Sequence, residues 1–125
     1  MTELYGIGND ITEIARIEQS IERFSERFIS RIFTAKEREY CLRNRKNSAQ
    51  HFAARFAAKE AVVKALGTGF RKGISWLDIE IINDANGKPT VTLSKKILDS
   101  VGDITIMISL SHSRDYATAV AIAIN

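Results

Sequence analysis

The sequence predicts an α+β domain, a mainly antiparallel sheet packed on one long helix, with additional short helices. Three observations lead there. Residues 52–67, Phe-Ala-Ala-Arg-Phe-Ala-Ala-Lys-Glu-Ala-Val-Val-Lys-Ala-Leu-Gly, are rich in alanine and contain no proline. They close on Gly67, the residue suited to the left-handed cap after a helix. Second, residues 104–111 and 116–124 are rich in Ile, Val and Ala and carry no charge, which reads as two buried or interfacial strands. Third, residues 84–89 hold a turn signal around Asn86-Gly87, between an alternating run at 78–83 and a returning run at 90–93.

The 125 residues suffice for one domain with one core, expected to span 1–125. No apolar run approaches the roughly 20 residues of a membrane span. The first residues, Met1 to Gly6, lack the basic-then-apolar order of a signal peptide. Cys41 is the single cysteine, so no internal disulfide forms and a cytoplasmic setting is expected. The net charge of +3 and pI near 9.2 suit an acidic partner or a phosphorylated ligand. A basic nucleic-acid-binding module without enzymatic activity also fits that charge. Against it, the aromatics fall at core spacings and are not interleaved with the basic residues. A non-enzymatic oligomeric scaffold is the third class.

Residues 4–11 alternate as a strand whose glycines, Gly6 and Gly8, bring its backbone close to something bulky. Asp10 stands near its end, before Thr12, a candidate N-cap. Ile14, Ile17, Ile21, Phe24 and Phe28 follow the 3-4 spacing of an amphipathic helix, with Ser25 as a point of break. Its other face aligns Arg16, Arg23 and Arg27, a surface fit for carboxylates or phosphates and otherwise a solvated face balanced by glutamates. Thr34 and Glu37 form a capping box. Ser48 is read as the cap of the long helix. Residues 67–73 form a basic connection without P-loop spacing. Ser94 caps a short helix at 95–101, and Ser111-His112-Ser113 starts the link between the last two strands.

On the long helix, Lys59, Glu60 and Lys64 sit among small and apolar neighbours, and only Arg55 and Ala58 border a wet side. Charges so placed call for a partner or a ligand. Read alone, Glu60 and Lys64 are also an ordinary i,i+4 surface pair.

Five segments in order, Gly6-Ile7-Gly8-Asn9-Asp10-Ile11, Phe33-Thr34 with Glu37, Arg55-Phe56-Ala57-Ala58-Lys59-Glu60-Ala61, Asn86-Gly87-Lys88-Pro89, and Ser111-His112 with Ala117, resemble the holo-acyl-carrier-protein synthase family of 4′-phosphopantetheinyl transferases, short bacterial type. The resemblance implies transfer of the phosphopantetheine arm of coenzyme A to a serine of an acidic acyl carrier protein. Adenosine 3′,5′-bisphosphate leaves, and the reaction serves fatty acid and lipid biosynthesis. It implies Mg²⁺ held by Asp10 and Glu60, with Glu60 or a metal-bound water taking the serine proton. Lys64 joins these two as a catalytic residue that neutralises phosphate. Coenzyme A would be bound by Lys59, Lys64, Gly67, Pro89, Ser111, His112 and Ser113, with Lys59 alternatively a structural partner of a carboxylate. Arg16, Arg23 and Arg27 would meet the carrier, and a homotrimer would share active sites between subunits.

Overall fold

The computed structural model describes residues 2–71 and 73–125. Lys72, part of the predicted basic connection, and Met1 lie outside the described residues. The chain runs β1 (Leu4–Glu13), α1 (Ile14–Phe24), α2 (Glu26–Ile32), α3 (Ala35–Arg43), α4 (Ser48–Leu66), β2 (Ile79–Asn83), β3 (Pro89–Leu93), α5 (Lys95–Val101), β4 (Thr105–His112) and β5 (Tyr116–Ile124). Short 3-10 turns at Arg45–Asn47 and Trp76–Asp78 precede α4 and β2. The strands form an antiparallel sheet of order β1-β5-β4 and a separate β2-β3 hairpin. This is the α+β architecture the sequence predicts.

Helix α4 is the 19-residue element around which the rest assembles. Gly67 caps it in the left-handed conformation, φ 75°, and takes its N–H back to Val63 and Lys64 carbonyls. The inner face of β5 presents Ala117, Ala119, Ala121 and Ala123, all buried against α4 or its neighbours. On β1 the inward positions include Gly6 and Gly8, and the bulky object they approach is the α4 backbone. A Cβ at Gly6 would lie 2.0 Å from the Ala65 carbonyl oxygen, and one at Gly8 2.1 Å from that of Ala61. Real Cβ atoms do not come so close, so glycine is required for the helix to lie on this strand. The alanine side of α4 is therefore covered within the chain.

Several local expectations change. Thr12 is not an N-cap: the strand runs on to Glu13, and α1 starts at Ile14 without a side-chain cap bond. Ser48 is the first residue of α4, preceded by Asn47 at the cap position, also without a side-chain bond. The break at Ser25 is real, with φ 47° and ψ −124°, so Arg27 belongs to α2 and the three arginines do not share one helix. Phe24, placed by spacing in the core, is 46% exposed because the chain turns there. The capping box of Thr34 and Glu37 and the cap of Ser94 form as expected.

The outer face of the three-stranded sheet carries an apolar patch beside Asn9, Ser109, Ser111 and Thr118. Ile7, Ile122 and Met107 lie side by side across the strands. Ile7, Ile11 and Met107 are 63%, 64% and 52% exposed. No helix among the described residues is long and apolar enough to cross a membrane.

Candidate active site

Helix α4 is buried nearly all round. From 52 to 66, only Phe56, Glu60 and Lys64 escape full burial. They are spaced four apart, so they form one line along the helix. Arg55 and Ala58, expected on a wet side, are buried instead at 2% and 0% exposure. The open line faces the end of β1, because the close Gly8–Ala61 approach lays that strand along the same side of the helix.

Asp10 follows Gly8 by two residues, on the same side of β1. Asp10, Glu60, Phe56, Thr12 and Arg16 line one cleft of about 390 Å³, with Ile17 and Phe28 in its wall. The Lys64 ammonium stands 3.3 Å from Asp10 Oδ1 and donates to the Asn9 carbonyl at 2.9 Å. Glu60 makes no ion pair among the described residues. Burial, and then the charge of Asp10, push its carboxyl above the usual carboxylate range, against the opposing pull of Lys64. So the predicted triad of Asp10, Glu60 and Lys64 does come together. Glu13 also lines the cleft, and the pair of Asp10 and Glu60, beside the ammonium of Lys64, suits a hard divalent cation such as Mg²⁺. That ion often takes only one or two protein carboxylates and completes its shell with phosphate and water. Among the described residues no group of three or more acidic, His or Cys side chains exists that would instead form an all-protein cage.

Lys59 is elsewhere, and its assignment to coenzyme A is corrected. It is fully buried, 2.7 Å from Glu37 Oε1, and donates to the carbonyls of Ile32 at 2.7 Å and Trp76 at 2.9 Å. Those three acceptors use all three of its hydrogens. Glu37 in turn accepts from the N–H groups of Thr34 and Ile81. This is the structural role that the sequence left open.

The other candidate ligand residues fall into three places. Ser111 and His112 end β4, two strands across from Ile11 and Thr12, roughly 10 Å at ordinary strand spacing. His112 lies 2.9 Å, Nε2 to Nε2, from Gln50 at the start of α4, and Ser113 closes the turn by donating its N–H to the Tyr116 carbonyl. Gly67 sits one turn beyond Lys64. Pro89 opens β3 opposite Asn83, beside a second cavity.

That cavity, about 520 Å³, has the Gly87 turn in its lining, and what the sequence reading missed is the part of Arg55 in it. Its lining includes Lys36, Tyr40, Arg43, Arg55, Asn83 and Gly87. Arg55 stacks over Tyr40, 4.0 Å from the ring centre, and donates to Asn83 Oδ1 at 3.2 Å. It has no carboxylate partner among the described residues, and its Nε is buried without an acceptor. The signals in the sequence were an arginine inside an alanine-rich helix and its place at the head of a family-like segment. The two cavities share no lining residue.

Arg16 reaches the mouth of the carboxylate cleft. Arg23 lies over the Phe24 ring. Arg27 lines an adjoining groove with Phe24, Phe28, Arg31, Ile32 and Trp76.

Comparison with known proteins identifies the family. Residues 6–121 match the model of the 4′-phosphopantetheinyl transferase superfamily. The chain is 58% identical over 117 residues to the holo-[acyl-carrier-protein] synthase of Protochlamydia amoebophila, covering 94% of this chain and 95% of that one. It is similar in structure to the Helicobacter pylori synthase in complex with coenzyme A, with a TM-score of 0.85, 38% identity, and 94% and 98% of the two chains covered. The Bacillus anthracis synthase in complex with CoA (3′,5′-ADP) gives a TM-score of 0.82 at 38% identity, covering 98% and 97%. The chain thus belongs to the 4′-phosphopantetheinyl transferase superfamily and is a transferase.

Proposed function

We propose that this chain transfers the 4′-phosphopantetheine group of coenzyme A to a serine of an acyl carrier protein, releasing adenosine 3′,5′-bisphosphate, in a Mg²⁺-dependent reaction in the cytoplasm. The names of its relatives and the coenzyme A complexes of its structural neighbours support the substrates. The observation that carries the mechanism is the single open line of Phe56, Glu60 and Lys64 on α4, facing Asp10. Asp10 and Glu60 would hold Mg²⁺, which supplies positive charge against the pyrophosphate.

The chain's own groups do the rest. Lys64 sets an ammonium beside the same site and neutralises phosphate charge as it grows. Glu60, in the same cleft as Asp10, is placed to take the proton of the attacking serine hydroxyl. The hydroxyl oxygen forms the new bond to the phosphopantetheine phosphorus. The bond from that phosphorus to the bridging pyrophosphate oxygen breaks. Arg16, at the cleft mouth, meets the acidic carrier, with Arg23 and Arg27 further along.

The Arg55 cavity suits the bisphosphate end of coenzyme A, with Pro89 and His112 near it. Burial, then Arg55, then His112 hold the His51 imidazole below its usual range, so both cationic groups act on His51. Because this cavity and the carboxylate cleft share no lining residue, a site shared between neighbouring subunits is the natural arrangement. The apolar patch of Ile7, Met107 and Ile11 on the outer sheet face supports a homotrimer that buries it.

One assay of transfer, run with carrier and coenzyme A varied separately, tests this reading. Asp10→Ala and Glu60→Ala are expected to lose on the order of 10²–10³-fold or more in turnover while remaining folded. Arg16→Ala is expected to raise the KM for the carrier alone, less so at high salt. Near-normal turnover of Glu60→Ala in Mg²⁺ would overturn the assignment. A fully active species of about 14 kDa at sedimentation equilibrium would remove the shared site.

A further inference from the structure

Asp10 is held from both sides. Its Oδ2 accepts a hydrogen bond from the Thr12 hydroxyl at 2.8 Å, and its Oδ1 lies 3.3 Å from the Lys64 ammonium. We infer that Thr12 is a positioning residue for Asp10, fixing the plane of that carboxylate so that it serves a divalent cation instead of closing onto Lys64. The inference rests on the proposed metal role of Asp10 and deepens it.

The local geometry allows nothing simpler. Thr12 is 8% exposed, so its hydroxyl needs a partner inside the protein. A threonine before a helix would ordinarily bond the helix's first free N–H groups. Here the strand continues past it, and α1 begins without any side-chain cap. The hydroxyl turns instead to the residue two back, the nearest side chain on the same side of β1. A hydroxyl has one hydrogen to give, and it goes to Asp10. The Asp10 side chain is 16% exposed and that of Lys64 is 52% exposed. The more exposed partner in this trio is the lysine. Without the Thr12 bond, the carboxylate is free to rotate and present both oxygens to the ammonium, and an ion would then have to displace a tighter pair. Residues that hold a metal ligand by hydrogen bond commonly change metal affinity about 10–100-fold when removed.

The test is Mn²⁺ binding, followed by loss of the free-ion EPR signal at saturating coenzyme A and corrected for coenzyme A alone. Wild type, Thr12→Val, Thr12→Ser and Asp10→Ala are compared. Valine matches the shape of threonine and removes only the donor. Thr12→Val is expected to bind Mn²⁺ about tenfold more weakly or worse, and Thr12→Ser to recover to within about threefold of wild type. The KM for the carrier and the thermal midpoint should stay unchanged, which a general packing defect would not allow. Unaltered Mn²⁺ binding by Thr12→Val, or binding by Thr12→Ser as weak as by Thr12→Val, overturns the role of Thr12. Intact Mn²⁺ binding by Asp10→Ala overturns the metal reading itself, and the inference with it.

Discussion

Helix α4 buries two cations one turn apart, and the protein treats them in opposite ways. Lys59 is sealed into a complete shell of Glu37 and two carbonyl oxygens. Arg55, also buried, has an amide oxygen, the face of a tyrosine ring and one nitrogen with no acceptor. Burying a charge is costly unless it is paired and hydrogen-bonded. Lys59 meets that requirement within the chain, so its region is structural. Arg55 leaves it unmet and opens onto a cavity lined by Lys36 and Arg43 and also by Glu39, which pairs with Arg43, and Asp84. An arginine buried without a carboxylate among the described residues is what the proposed bisphosphate site rests on. The same contrast separates Lys59 from its neighbour Glu60, which shows that adjacent charges on one helix need not share a role.

The largest effect comes from breaking the sealed shell. Lys59→Met leaves Glu37 buried without its cation, and loss of one partner of a buried pair costs about 3–5 kcal/mol. Urea unfolding is expected to show that loss, and a change below about 1 kcal/mol would mean that Glu37 is not held charged by Lys59. Burial pulls the Lys59 ammonium down from its usual range while Glu37 pulls it up, so the pair stands or falls together.

Arg55→Met sharpens the comparison from the other side. It removes a cation with no carboxylate partner and keeps an apolar side chain against Tyr40. Stability should move by about 2 kcal/mol, the worth of a desolvated cation–π contact and less than the loss expected for Lys59→Met. Affinity for adenosine 3′,5′-bisphosphate should fall about 10–100-fold, the range for losing hydrogen bonds to a charged group. Calorimetry measures both quantities on one sample. A stability loss like that of Lys59→Met, with binding unchanged, would make Arg55 a structural residue.

What the sequence disclosed follows from the range of the interactions. The fold class, the cap at Gly67, the capping box at Thr34 and the hairpin around Gly87 depend on residues a few positions apart, and composition and spacing expose them. Asp10, Glu60 and Lys64 were legible because carboxylates and a lysine stood out against glycine and alanine, and because the motifs resembled a family. Lys59 was ambiguous because its partner Glu37 is 22 positions away, on a helix whose packing no local pattern shows. Arg55 was misplaced for a similar reason, since Asn83 is 28 positions away. Thr12 was read as a cap because a threonine before a helix ordinarily is one. Only the extra residues of β1 turn its hydroxyl toward Asp10.

The smallest effect is a pH dependence, and it reports on the unpaired arginine directly. His51 lies edge-on to Tyr40, with ring centres 5.3 Å apart, and is half-buried. Burial, then Arg55, then His112 hold its imidazole below the ordinary value of 6.5. The unfolded chain therefore takes up the proton first as the pH falls. Stability is complete above about pH 6.5 and declines below it, until the folded state also takes the proton. His51→Gln should flatten the part of the pH–stability curve just below that point, where carboxylates still contribute little. Filling the cavity with adenosine 3′,5′-bisphosphate places negative charge beside Arg55 and relieves its repulsion of the imidazolium. The decline in wild type should then shrink, and His51→Gln should show no such change. Thermal midpoints between pH 7 and pH 5.5, with and without the nucleotide, make the measurement. An identical decline in both conditions would mean that the anion does not settle beside Arg55, and the contrast between the two buried cations would lose its functional meaning.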